Sequence, residues 1–238
     1  MERLHKVIAN SGYCSRRKAE ELISLGKVFV NDKKITDLGT KVNPNDVIEI
    51  EGKILEKEDR EYILLYKPRG VISAASDDKK RKTVVDLINT NKRLYPVGRL
   101  DYDTTGILLL TNDGELTNLL LHPRNNINKV YVVKINGLLT SDKKKKLETG
   151  VIIDGAKTAR SKIKIKKYDK KTDTSIVYLT IHEGKNHQVK KMFNAVGLEV
   201  LKLKREKLAF LDLTGLKIGE YRHLTIKEVK TLYSLGAK

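Results

Sequence analysis

The chain has 238 residues, with 48 lysines and arginines against 30 aspartates and glutamates and a formal net charge of +18. A chain this basic is suited to a polyanion, nucleic acid or an acidic membrane surface, and its length allows one or two domains with ample core. The single cysteine, Cys14, excludes an internal disulfide framework and fits a reducing cytoplasm, the scattered histidines give no zinc spacing, and no apolar stretch has the length of a membrane span.

Two helices are expected first. Leu4, Val7 and Ile8 share one apolar face, and Ala19, Leu22 and Ile23 repeat that spacing. Ser15 is the expected N-cap of the second helix and Gly26 its stop. Val28, Val30, Ile35, Val47, Ile48 and Ile50 then mark short strands separated by Asn-Asp and Asn-Pro-Asn-Asp turns. The charged run Glu56-Lys57-Glu58-Asp59-Arg60-Glu61 that follows reads as a linker. Residues 1–60 carry 12 basic and 11 acidic side chains, so an excess of +17 lies beyond them. Within this first module Arg16, Arg17 and Lys18 cluster at one helix start, where cations and a helix N-terminus together suit phosphate. The plainer alternative is a solvated helix face with Arg16–Glu20 and Arg17–Glu21 pairs.

Beyond residue 60, strands and helices mix without a regular βαβ repeat, an α+β pattern. Strands are expected over 62–66, 106–111, 129–135, 161–166, 175–182 and 200–203, and helices over 84–89, 115–121, 141–148, 186–195 and 225–233. The alternation Lys162-Ile163-Lys164-Ile165-Lys166 reads as a strand whose lysines protect a sheet edge. Val189, Met192, Phe193 and Val196 fall on one helical face, so Lys190 projects beside the core and Lys191 toward solvent.

The chemistry centres on Gly98–Gly114. Asp101, Asp103, Thr105 and Gly106 occupy positions one, three, five and six of a calcium-loop pattern. Position twelve, a bidentate Glu in such a loop, is Asn112, and the run Ile107-Leu108-Leu109-Leu110 reads as a buried strand rather than a flanking helix. No phosphate-cradling loop, dinucleotide fingerprint or Gly-x-Ser-x-Gly elbow occurs elsewhere. Ordinary side-chain chemistry remains, with Asp101 in a Gly-bounded loop where a cation such as Arg99 can keep it ionised.

Val97-Gly98-Arg99-Leu100-Asp101-Tyr102-Asp103-Thr104-Thr105-Gly106 resembles the catalytic motif of RNA pseudouridine synthases, in the branch of ribosomal small-subunit synthase A and large-subunit synthase B. Lys67-Pro68-Arg69-Gly70-Val71 resembles the family's first motif, Lys129-Val130-Tyr131 its aromatic motif, and the stretch from Glu183 to Met192 its last. The opening stretch from Leu4 to Asn31 is similar to an S-four RNA-binding domain. The resemblance spans nearly the whole chain, with several motifs in the family's order.

It implies a small α/β S-four-like RNA-binding domain over residues 1–60, then a mixed, mainly antiparallel-sheet catalytic domain over 61–238. It implies isomerisation of a uridine in ribosomal RNA, without cofactor, nucleotide or catalytic metal. Asp101 would be the essential carboxylate, attacking the ribose anomeric carbon or taking the neighbouring proton. Tyr131 would stack on the base, Lys190 would pair with Asp101, and Arg99 would lie beside the substrate. Asp103 reads as a turn former. The implied partner is ribosomal RNA or a partly assembled ribosomal subunit, met by a cytoplasmic monomer with no membrane role. Residues 14–21 and 39–42 lean toward the large-subunit synthase, whereas His187-Gln188 leans toward the small-subunit one. Lys185 and Lys191 stand where arginine is common, which weakens bidentate phosphate contacts. The alternative is a non-catalytic S-four-type protein of ribosome assembly, against which the intact Asp101, Tyr131 and Lys190 argue. A glycosidase would need two flanking carboxylates and suits so basic a chain poorly.

Overall fold

The computed structural model describes residues 1–56 and 58–236. Two compact units divide the chain: residues 1–61 with 89–95 and 111–114, and the remainder.

In the first unit, helices α1 (Leu4–Asn10) and α2 (Arg16–Ser24) pack on the strands β2 (Val28–Val30), β3 (Lys33–Ile35), β5 (Ile48–Ile50) and β6 (Lys53–Ile54), which form one antiparallel sheet. A two-stranded pair, β1 (Glu2–Arg3) with β4 (Lys41–Val42), lies at the chain start. Leu4, Ile8, Ala19, Leu22, Ile23, Val28 and Ile50 make the core. Ser15 caps α2 as expected, its hydroxyl accepting from the Lys18 amide. Asn31 and Asp32 both turn left-handed, with φ of 49° and 63°, which suits a two-residue hairpin between β2 and β3. Val47 departs from expectation. It precedes β5 and is exposed, and its amide donates to the Asn31 side chain.

The charged run after β6 is not a free linker. Lys57 lies outside the described residues, but Asn112 donates to the Glu58 carboxylate (2.6 Å) and the Asp59 carbonyl (3.0 Å), and accepts from the Glu61 amide (2.8 Å). Arg60 pairs with Asp113 at 3.1 Å.

The second unit is built on β7 (Tyr62–Lys67), β8 (Tyr95–Pro96), β9 (Thr105–Thr111), β10 (Lys129–Asn136), β13 (Lys162–Asp169), β14 (Thr174–Ile181), β15 (Val200–Leu208) and β16 (Tyr221–His223). A short hairpin of β11 (Ile152–Ile153) and β12 (Ala156–Lys157) stands apart from this sheet. The main path runs β13-β14-β10-β15-β9-β7-β16, with β8 alongside β9. Its pairings are mainly antiparallel, whereas β9 and β15 run parallel. Gly106 permits that parallel contact, because a Cβ there would stand 2.2 Å from the Arg205 carbonyl oxygen. Helices α3 (Gly114–Leu121), α4 (Ser141–Thr149), α5 (Gln188–Asn194) and α6 (Ile226–Ser234) complete the mixed α+β fold. β13 is an edge strand, and Lys162, Lys164, Lys166 and Lys167 on it are exposed, which suits edge protection.

Three expected elements change. Residues 84–89 hold only the 3-10 turn Val85–Leu87, because Asp86 bonds back to the Thr83 amide and hydroxyl and Ile88 is already extended. The helix expected from 186 starts at Gln188, since His187 is left-handed at φ 53°. β15 runs on to Leu208 through charged residues that mask its alternation. Among the described residues, no helix is long and apolar enough to cross a membrane.

Candidate active site

The loop between β8 and β9 is fixed from below by a buried lysine. Lys67, at the end of β7, is fully enclosed, and its Nζ donates to the carbonyls of Pro68 (3.0 Å), Asp101 (3.1 Å) and Thr104 (3.1 Å). Burial lowers its pKa from 10.5 to about 8, with Asp101 and Asp103 opposing the shift. The Ser73 hydroxyl exchanges hydrogen bonds with the Leu100 carbonyl (2.7 Å) and amide (3.1 Å). The Gly70 amide donates to the Tyr102 carbonyl at 2.9 Å. Thus the backbone around Asp101 is held on both sides while its side chain stays partly open.

An imidazole and an ammonium approach that carboxylate. His187 Nδ1 lies 3.5 Å and Lys190 Nζ 3.6 Å from Asp101 Oδ2. Lys190 makes its short hydrogen bonds elsewhere, to Asp103 at 2.7 and 2.8 Å. Those bonds hold the Asp103 carboxyl below its usual range. Asp103 is therefore more than a turn former, and Lys190 bridges the two aspartates rather than serving Asp101 alone. Arg99 is exposed at the rim and makes no ion pair among the described residues. The groups beside the Asp101 carboxylate are His187 and Lys190 instead. Lys191 is not simply solvated, since it pairs with Asp154 at 2.5 Å.

Asp101 opens on a cleft of about 520 Å³. Its lining includes Arg99, Tyr131, Lys129, Arg205, His187 and Gln188. Tyr131 is buried on β10, with Arg205 of β15 as its cross-strand partner. The far wall is tied down by Gln188, which accepts from the Lys185 amide (2.9 Å) and donates to Glu183. Glu183 in turn accepts from the Ala159 amide at 2.9 Å. A metal reading of the loop fails on this geometry: a strand follows it, and both Asp103 oxygens face an ammonium.

The first unit holds the Arg16, Arg17 and Lys18 cluster. Neither expected pair forms. Glu21 takes Lys18 at 2.7 Å and Glu20 lies 3.8 Å from His5, so Arg16 and Arg17 are exposed without an ion pair among the described residues.

Comparison with known proteins decides the family. An RNA pseudouridylate synthase model matches residues 61–195, and an S4 domain model matches residues 2–48. The chain belongs to the RNA pseudouridylate synthase family. A Bacillus subtilis protein named ribosomal large subunit pseudouridine synthase B is 57% identical over 237 residues, covering 99% of this chain and 97% of that one. An Escherichia coli protein named dual-specificity RNA pseudouridine synthase RluF is 37% identical, covering 98% of this chain and 79% of its own. A solved pseudouridylate synthase superposes with a TM-score of 0.71 at 31% identity, covering 98% of this chain and all of that one. The protein is an enzyme, an isomerase that acts on uridine in RNA.

Lys67, Lys129 and His187 lie in motifs that carry the family resemblance but were given no site role there, and Arg205 was passed over. Lys67 carried a further signal, a lysine closing the apolar run Tyr62–Lys67. Lys129 opened an expected strand and Arg205 fell beyond the end of one, and the depth of both depends on pairing between distant segments.

Proposed function

We propose that this synthase converts one uridine of large-subunit ribosomal RNA to pseudouridine, with Asp101 as the reacting carboxylate. The observation that carries the assignment is the contrast within that residue. Its carbonyl is clamped by the buried Lys67, while its carboxylate faces the cleft beside the Lys190 ammonium and the His187 imidazole. A carboxylate so held is pre-aligned for attack at the anomeric carbon or for removal of the adjacent proton. Tyr131 offers an aromatic face for the extruded base, which must leave its stack before the base–sugar bond can be broken and the ring turned. Lys190, held by Asp103, orients Asp101, and Arg99 meets the RNA at the rim.

Residues 1–60 would supply RNA affinity through Arg16, Arg17 and Lys18, and residues 61–238 the chemistry. The large-subunit target rests on the name of the Bacillus relative. The chain would act in the cytoplasm as a monomer on free or partly assembled RNA. The test is purified protein incubated with transcripts of large- and small-subunit ribosomal RNA, followed by pseudouridine mapping. One new site in the large-subunit transcript is expected. Sites confined to the small-subunit transcript or to transfer RNA would reassign the substrate.

A further inference from the structure

Two cations line the cleft without counter-ions. Lys129 and Arg205 are only 9% and 3% exposed. Lys129 Nζ donates to the His182 carbonyl at 3.1 Å, and Arg205 Nε donates to the Ile107 carbonyl at 2.8 Å. Arg205 Nη2 is buried with no hydrogen-bond partner, as is the hydroxyl of Thr104 on the Asp101 loop. Neither cation has a carboxylate within ion-pair distance among the described residues. Burial, with Arg205 adding and Glu183 opposing, lowers Lys129 from 10.5 to about 8, so it remains protonated at neutral pH. A buried cation lacking a partner is strongly penalised, and the penalty is relieved when an anion arrives.

The position of the pair says which anion. Lys129 lies two residues before Tyr131 on the inner face of β10, and Arg205 is the register partner of Tyr131 on β15. They flank the aromatic residue, so they meet the edge of a ring stacked upon it. A phosphate tied into the backbone on both sides reaches side chains this buried poorly. A flat base edge reaches them well.

We infer that Lys129 and Arg205 form an anion site for the departing base, binding the carbonyl oxygens of uracil and stabilising the uracilate released from the ribose. The inference rests on the reaction proposed above. When the N1–C1′ bond breaks, its electron pair stays on the ring and spreads over N1, O2 and O4. C1′ is captured by an Asp101 oxygen; alternatively Asp101 takes the C2′ proton and the freed pair forms a C1′=C2′ bond. Both routes leave the same anion. The turned ring then bonds C1′ through C5 as the Asp101–C1′ bond breaks and returns its pair to the carboxylate, or as the C1′=C2′ pair takes its proton back at C2′; C5 then loses its proton, and N1 gains one. Composition is unchanged, and the transient negative charge is what the two cations meet in a water-poor site.

The test is single-turnover kinetics at saturating RNA, with either uridine or 5-fluorouridine at the target and loss of the original nucleoside as the readout. Fluorouracil is the stronger acid, so its anion leaves with less help. Lys129→Gln should slow uridine cleavage by about 100-fold with RNA affinity nearly unchanged. Lys129→Arg and Arg205→Lys, which keep the charge, should retain most of the rate and show that the fold survives. The Lys129→Gln defect should shrink by about tenfold with 5-fluorouridine. Lost affinity at unchanged rate would make the pair a phosphate clamp and overturn the inference. An equal defect for both bases, or no defect, would overturn it as well. Turnover by the unaltered protein reports separately on the reaction itself.

Discussion

The two units use positive charge in opposite ways. In the first, Arg16 and Arg17 stand exposed at the start of α2 with no ion pair among the described residues. In the second, Lys67, Lys129 and Arg205 are buried, and two of the three titrate well below an ordinary lysine. Exposed cations attract a phosphate backbone at long range and are screened by salt. Buried ones are held by backbone carbonyls and act over hydrogen-bond distances. Affinity and chemistry should therefore respond separately to salt and to substitution, and each prediction below is a way to break that separation.

The largest effect falls on the reacting group. Asp101→Ala should reduce pseudouridine formation to background while RNA binding persists, because no other carboxylate has its position in the cleft. Asp103→Ala should leave measurable turnover, since its oxygens are turned to Lys190. Product analysis with folding checked by circular dichroism decides between them. Full activity of the Asp101 variant would move the reaction to another residue.

Next comes the lysine beneath the loop. Lys67→Met removes three hydrogen bonds to loop carbonyls and should cost about 2 kcal/mol of stability along with most of the turnover. Its titration gives a second signature. The folded chain releases the Lys67 proton near pH 8, whereas the unfolded chain holds it to 10.5. Between those values the unfolded state binds more protons, so stability rises with pH there. Below pH 8 both states are protonated and the burial penalty is fully present. Urea unfolding at pH 7.5 and 9.5 should show the unaltered protein gaining on Lys67→Met as pH rises; the opposite trend would contradict the lowered pKa.

How these residues were legible differs case by case. Asp101 stood out because the stretch 97–106 resembles the family's catalytic motif, in which the matching Asp is the essential carboxylate. The helix face of Val189, Met192 and Phe193 was equally plain, and all three are buried. The Lys190–Asp103 bond was not legible, since two aspartates at i and i+2 are equivalent until a distant helix chooses between them. Residues 84–89 misled because their apolar spacing fits a helix, while the Asp86-to-Thr83 bond that defeats it depends on local side-chain geometry. β15 was cut short in the reading because Lys202, Lys204, Glu206 and Lys207 face away from the core.

A smaller effect is expected from the first unit's surface. Arg16→Gln with Arg17→Gln should weaken RNA binding and reduce the salt dependence of affinity by about two units of log–log slope, or somewhat less. The single-turnover rate at saturating RNA should not change. A slower rate at saturation would mean that these arginines shape the reacting complex as well as attract it.

The smallest effect concerns the cap beneath those arginines. Ser15 Oγ accepts from the Lys18 amide at 3.2 Å, satisfying one of the donors that a helix start leaves open. Ser15→Ala should cost about 1 kcal/mol and let the first turn of α2 fray, blurring the placement of Arg16 and Arg17. Lost order and lost capping are confounded in that variant, so Ser15→Asp is the sharper measurement. Aspartate caps as well as serine, and its charge also favours the positive end of the helix, so thermal stability should hold or rise. The same charge stands where a phosphate oxygen would sit, so RNA affinity should fall although the unit is intact. A protein that is at least as stable but binds RNA more weakly would mark this helix start as a phosphate contact. Unchanged affinity in Ser15→Asp would show that the two arginines meet RNA away from the helix end, if they meet it at all.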